Sequence, residues 1–319
     1  MQQEHFERGQ LILLASQYSL FIIPQIVPFI GTIVLTIRII ALDCQTFYRG
    51  IMTFEPLLLD SITDAGPAAA GAVAVSGSHG GLYAAAVASR AGLRAVILND
   101  AGRGLNDAGI AGLVALTDLG MAGCAVDCMS AEIGSARDTA THGVISYANI
   151  PAAVLGITPG QSIENALTLL SNAPNPTGQL DAVPEARWEE EIDGVSVLCV
   201  DSASLIRSED AGRIIVTGSH GGLIGGDPAR ACKAQASYVS FSDAGRGKND
   251  CGITRLPALD VRGVAAVTLD CGSCEIGSAA SSLQNGITSA VNRTAMECGI
   301  KIGMTQRQAL QMVIRKGTT

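Results

Sequence analysis

Clusters of basic residues are missing from this chain. No run of Lys or Arg occurs in its 319 residues, the formal net charge is −8 and the pI is near 5.0. A protein that tracks a phosphate backbone needs a stripe of positive side chains, so nucleic acid is excluded as a main partner. Charge of either sign is sparse, at 16%, against 48% hydrophobic residues with many Ala and Gly. Small side chains in that proportion suit helices packed closely on a sheet.

Several signatures are absent as well. The nine cysteines are an odd number and follow no secreted disulfide spacing. Free thiols in a reducing compartment, the cytoplasm, are the economical reading. Cys271-Gly-Ser-Cys274 has the spacing of a redox or zinc pair, but the matching Cys128-Met-Ser-Ala131 has lost the second cysteine. No other Cys/His pair completes four zinc ligands. No P-loop is present, and the one Gly-x-Gly-x-x pattern ends in Asp rather than the third glycine of a dinucleotide site. His-Gly-Gly occurs without the Gly-x-Ser-x-Gly turn that an esterase nucleophile requires.

What is present comes twice. Gly77-Ser78-His79-Gly80-Gly81 returns as Gly218-Ser219-His220-Gly221-Gly222, 141 residues on. Asp100-Ala-Gly-Arg103-Gly-Leu-Asn106-Asp107 returns as Asp243-Ala-Gly-Arg246-Gly-Lys-Asn249-Asp250, 143 residues on. At that second offset Asp127-Cys128-Met-Ser130-Ala-Glu132-Ile-Gly-Ser135-Ala also returns, as Asp270-Cys271-Gly-Ser273-Cys-Glu275-Ile-Gly-Ser278-Ala. One two-residue insertion accounts for the change of offset.

Ahead of the repeats, Leu11 to Thr36 holds no charged residue and has the length of a membrane-spanning helix. Repeat matching places the first copy from about Met52, so residues 1–51 are expected to lie outside the globular unit. They are either a single membrane anchor, with the C-terminal side cytoplasmic, or the product of a start assigned upstream of Met52. The second is the leading reading, because the remainder reads as an ordinary soluble domain. A membrane partner is expected only if residues 11–36 are retained.

Within each copy, short apolar runs alternate with helical patterns. The first copy, 52–170, predicts strands at Leu57–Leu59, Ala72–Val75, Arg94–Leu98 and Cys124–Val126. Helices are expected at Leu82–Ala91, Asp107–Leu119, Val144–Leu155 and Ser162–Leu170. The second, 195–319, predicts strands at Ile214–Val216, Ser237–Phe241 and Ala265–Leu269, with helices at Gly252–Leu259, Ile287–Cys298 and Gln306–Ile314. Residues 171–194, with three prolines and Trp188-Glu-Glu-Glu191, read as a surface linker. The expected fold is α/β: two tandem βαβ-type repeats forming parallel sheets flanked by helices and related by a pseudo-two-fold axis. Self-association of whole chains is compatible with this.

The motifs fall at strand ends, where open parallel sheets bind ligands. Gly-Ser-His-Gly-Gly is expected to follow a strand and open a helix in both copies. Ser78, Gly80, Gly81, Ser219, Gly221 and Gly222 would then offer free N–H groups and hydroxyls to an anion. A turn capped by the serine explains Gly and Ser, and explains His79 and His220 poorly, so the pair is assigned to ligand contact or acid/base work. Arg103 and Arg246 suit a carboxylate or phosphate, with an Asp–Arg salt bridge as the competing account. Asn106/Asn249 or Asp107/Asp250 are expected helix caps. Asp100, Asp243, Glu132 and Glu275 are candidate proton-transfer groups or, with the histidines, ligands of a divalent metal. Cys128 and Cys271 are candidate thiol nucleophiles, although buried cysteines are commoner at strand ends.

These observations lead to an enzyme acting on a small anionic metabolite by hydrolase, lyase or isomerase chemistry, through two similar sites or one composite site. A non-catalytic small-ligand sensor is the alternative.

Overall fold

In each repeat the apolar runs become parallel strands because both of their faces are covered. The structure, a computed structural model, describes residues 54–317. The first repeat runs β1 (Leu57–Leu59), β2 (Val73–His79), α1 (Leu82–Arg90), β3 (Ala95–Asn99), α2 (Ala111–Ala115) and β4 (Ala122–Val126). It continues with α3 (Ala136–His142), β5 (Ile145–Ala148), α4 (Ile150–Val154) and α5 (Ile163–Leu170). Strand order is β1-β2-β3-β4-β5, with β1 to β4 parallel and β5 antiparallel to β4.

Period-two alternation divides the strands between two cores. Ala74, Val96 and Leu98 pack with Ala84, Ala85 and Ala88 of α1 and with Leu113 of α2. Val73, Val75 and Ile97 face the other way, onto Ala152 of α4 and Ile163, Ala166 and Leu170 of α5. The alanine-rich face of α1 lets it lie close to the sheet and to Gly112, where a Cβ would meet the Gly81 carbonyl and Ala85.

The second repeat runs β7 (Val195–Val200), β8 (Ile214–His220), β9 (Tyr238–Ser242), α6 (Arg255–Val261), β10 (Ala265–Leu269), α7 (Ala279–Asn285), β11 (Thr288–Val291), α8 (Arg293–Glu297) and α9 (Gln306–Gly317). Its sheet order is β11-β10-β9-β8-β7 with one further edge strand beyond β7, again parallel at the centre with β11 antiparallel to β10. The extra edge strand β6 (Arg187–Ile192) pairs antiparallel with β7 across Asp193-Gly194, both at positive φ, the geometry of a tight hairpin turn. The linker reading of 171–194 therefore fails at its C-terminal end, where a charged sequence forms a strand because only one face is covered.

Three other expectations give way. Val144–Leu155 is not one helix: Ile145–Ala148 is the strand that closes the edge of β4, and Asn149 then caps α4 by accepting from the Ala152 amide. Ile287–Cys298 divides in the same way at Asn292. The helix expected over Asp107–Leu119 shrinks to α2 flanked by 3₁₀ turns. Helices α3 and α7, capped by Ser135 and Ser278, have no counterpart among the expected elements.

The two sheets are separate, yet from Phe54 onward the described residues form one unit. They meet through the loops that leave β3, β4, β9 and β10, where the central backbone contacts are returned. Leu105 N donates to Cys271 O at 2.8 Å, and Lys248 N to Cys128 O at 2.8 Å. Such i-to-j, j-to-i exchange is the pattern of a two-fold axis. The carboxyl ends of the central strands thus face one another. Among the described residues no helix is long and apolar enough to cross a membrane; the Leu11–Thr36 segment lies outside them.

Candidate functional site

His79 ends β2 and His220 ends β8, each just past an irregularity in the strand register. Gly77 and Gly218 sit in those irregularities. A Cβ at either would run into the turn before α3 or α7, so the chain can bend there only as glycine. Each imidazole folds back on its own turn: His79 Nδ1 accepts from Gly81 N at 3.1 Å, and His220 Nδ1 from Gly222 N at 3.2 Å. The glycine two residues on is required, since a Cβ at Gly81 would stand 2.7 Å from the His79 ring. Accepting at Nδ1 fixes the neutral tautomer with its proton on Nε2. Neither Nε2 has a hydrogen-bond partner among the described residues. Burial lowers the His79 pKa to about 4. His220 is held well below its usual value by burial first, then by the charges of Arg255 and His79.

Both imidazoles line one cavity of about 730 Å³ between the repeats. Its walls also carry Tyr83, Glu185 from the linker, Lys233, Arg255 and Glu275. Both repeats therefore contribute walls to one cavity, and the expected neighbours of the histidines are only partly there.

The anion nest is not built as expected. Gly80 N donates to Asn99 O and Gly221 N to Ser242 O, at 2.9 and 2.7 Å, while Gly81 N and Gly222 N serve the imidazoles. All four amides are occupied within the fold. Ser78 and Ser219 line the cavity, but each hydroxyl accepts from a backbone amide, of Ile62 at 3.0 Å and of Ala203 at 2.8 Å. Nor does the second copy open a helix here, since Leu223 leads only into 3₁₀ turns at Ile224–Gly226 and Pro228–Arg230.

Asp100 and Asp243 brace loops and do not line the cavity. Asp100 Oδ1 accepts from Gly102 N and Cys128 N, both at 3.0 Å, and Asp243 Oδ1 repeats this with Gly245 N and Cys271 N. That bracing holds an unusual backbone. Ala101, Arg103, Asn106 and Asp107, with their four counterparts, all have φ between 50° and 62°. Left-handed Ala and Arg cost about 1–3 kcal/mol each, so the surroundings must impose the shape.

Arg103 and Arg246 do not line the cavity and pair along the loop with Asp107 at 3.3 Å and Asp250 at 2.9 Å. The salt-bridge account is the one realised, with the aspartate four residues on. Asn106 and Asn249 do not cap helices either; their side chains reach Glu275 and Glu132 of the opposite repeat. Glu275 lines the cavity and Glu132 does not.

Cys128 and Cys271 are pushed up to about 12 by burial, and by Asp100 and Asp127 or Asp243 and Asp270 respectively, so the thiol rather than the thiolate prevails. The described cysteines are all free. Among the described residues, groups close enough to share a metal are Asp100–Asp127–Cys128 and Asp243–Asp270–Cys271, with ligand atoms within 4.8 Å. The expected combination with histidine is not assembled, and Asp100 and Asp127 each already accept backbone amides.

Arg255 is the group that motif matching missed. It is 3% exposed, stands opposite Gly112 in the 143-residue register, and lies 4.9 Å from the centroid of the Phe241 ring. Its signal was a lone Arg outside any repeated motif. Compared with family models, curated proteins and solved structures, the chain matches none.

Proposed function

We propose that this protein is an enzyme acting on a small anionic metabolite by proton transfer, in a hydrolase, lyase or isomerase reaction. The observation that carries this reading is the meeting of two neutral imidazoles, each oriented by a glycine amide, in one cavity. A neutral imidazole donating from Nε2 polarises a carbonyl or steadies a developing oxyanion, while a carboxylate takes up the proton that the substrate loses. Glu275, on the same wall and held by Asn106, is the carboxylate placed to share that work. The reading also takes the chain as a duplicated unit working in the cytoplasm, supported by the repeated motifs and the free thiols.

His79→Asn and His220→Asn test it. An asparagine Oδ1 accepts the same i+2 amide and so keeps the turn, while the Nε2 position is lost. Turnover of a substrate found by metabolite screening on the full chain is expected to fall about 10²–10⁴-fold with the melting temperature nearly unchanged. Loss of folding in both variants would make the histidines structural. One observation favours a non-catalytic sensor: Asp100 and Asp243, expected to do chemistry, are spent on backbone amides. That reading predicts thermal stabilisation by a ligand that is never consumed.

A further inference from the structure

The cavity is not symmetric, although the motifs that frame it are. Its cationic side chains, Arg230, Lys233 and Arg255, all come from the second repeat; the first supplies Leu82 and Tyr83 from α1 on the matching wall. Where the first repeat has Gly112, closely covered by α1, the second has Arg255 beneath an irregular segment.

Arg255 is a buried cation without a buried anion. Its Nε donates to Gly222 O at 3.0 Å and its Nη1 to Ala231 O at 2.7 Å. Carbonyl dipoles and the Phe241 face hold the guanidinium in place. No carboxylate lies within ion-pair distance of it among the described residues, and Nη2 has no acceptor there. Taking a full charge out of water is unfavourable unless an opposite charge completes the set, and a guanidinium edge is shaped for a two-oxygen anion.

We infer that Arg255, with Lys233 lining the same cavity, seats a carboxylate or phosphate oxyanion, so that one ligand binds per chain with its anionic end on the second repeat. This rests on the small-molecule cavity proposed above and adds orientation to it. His220, adjoining Arg255, then donates to the anionic end, whereas His79 faces the remainder of the molecule near Tyr83. The two histidines have different tasks despite identical motifs. Only the second half needs an anion seat, which is why Arg255 has no arginine counterpart in the first, where Gly112 stands.

Calorimetric titration of the full chain with inorganic phosphate, and separately with acetate, tests this. Saturable binding of one anion per chain is expected, with the preferred probe distinguishing phosphate from carboxylate. Arg255→Gln should weaken it at least ten-fold and Lys233→Gln several-fold, while Arg103→Gln, outside the cavity, leaves it unchanged. Should Arg255→Gln fail to fold, the exposed Lys233→Gln decides, together with imidazole NMR. Phosphate should shift the His220 ring signals further than those of His79, both along one binding isotherm. Two anions per chain, no binding of either probe, unaltered affinity in both variants, or the larger shift at His79 would each overturn the inference. Turnover that depends on the histidines but survives such a result would leave the proton-transfer reading standing on a neutral substrate.

Discussion

Asn106 of the first repeat donates from Nδ2 to Oε1 of Glu275 in the second at 2.6 Å, and Asn249 returns the contact to Glu132 at 2.9 Å. Each repeat thus uses its left-handed loop to grip the loop that carries the other's glutamate. The same loops touch backbone to backbone at Gly102 and Gly245. The strain of eight non-glycine residues at positive φ is offset across this junction, where neither loop has to hold its shape alone.

Gly102→Ala is expected to destabilise the protein by about 2 kcal/mol or more. Its φ is +70°, and a Cβ there would stand 2.8 Å from Gly245 Cα, a backbone atom that cannot swing aside. Gly120→Ala is the control: φ is +68° but nothing lies within 4 Å, so only the conformational cost, about 1 kcal/mol, remains. Urea unfolding of the two variants measures the difference; equal losses would show that the junction is loosely packed.

Stability should fall as pH drops from 6.5 toward 4. Both histidines have folded-state pKa values below the unfolded value, His79 at about 4, so in this window the unfolded chain binds more protons. Each contributes a slope of up to about 1.4 kcal/mol per pH unit. Above 6.5 the contribution is fully present and constant. Chemical denaturation at intervals of pH should give a shallower slope in His79→Asn than in the parent; parallel curves would mean that the imidazole is not desolvated.

Replacing Arg103 or Arg246 with Gln should change stability by no more than about 0.5 kcal/mol, because their ion pairs are nearly half exposed. Ligand affinity should be unaltered. A ten-fold loss of affinity in either variant would restore these arginines to the binding site.

Iodoacetamide should modify Cys128 slowly at pH 8, followed by intact mass. A pKa near 12 leaves roughly one thiol in ten thousand ionised. Cys128→Ser is expected to retain turnover. Rapid alkylation with loss of turnover would instead mark a thiolate nucleophile.

Much of this was legible in the sequence. The α/β layers followed from apolar runs alternating with helical patterns, and the approach of the two halves from motifs repeated at strand ends. His79 and His220 stood out because only four histidines exist and two match. Harder to read were residues whose partners are distant in sequence. Asp100 resembled a proton-transfer group, but its acceptor oxygen is taken by the amide of Cys128, 28 residues away. Ile145–Ala148 looked helical because an edge strand half open to solvent carries no strict alternation; pairing with β4 decided it.

Local order fixed the turns and the self-oriented imidazoles, since each depends on residues within one or two positions: His79 needs Gly81, and the bend before it needs Gly77. Only the packed molecule decided which polar groups share a cavity. Arg103 lies three residues beyond Asp100 in a repeated loop and is half exposed over Tyr147, outside the cavity, whereas Arg255, unmatched in the first repeat, is buried against Phe241. The physical reason is that a side chain's direction follows the local backbone, while its solvation and its partners are set by the surfaces that close over it.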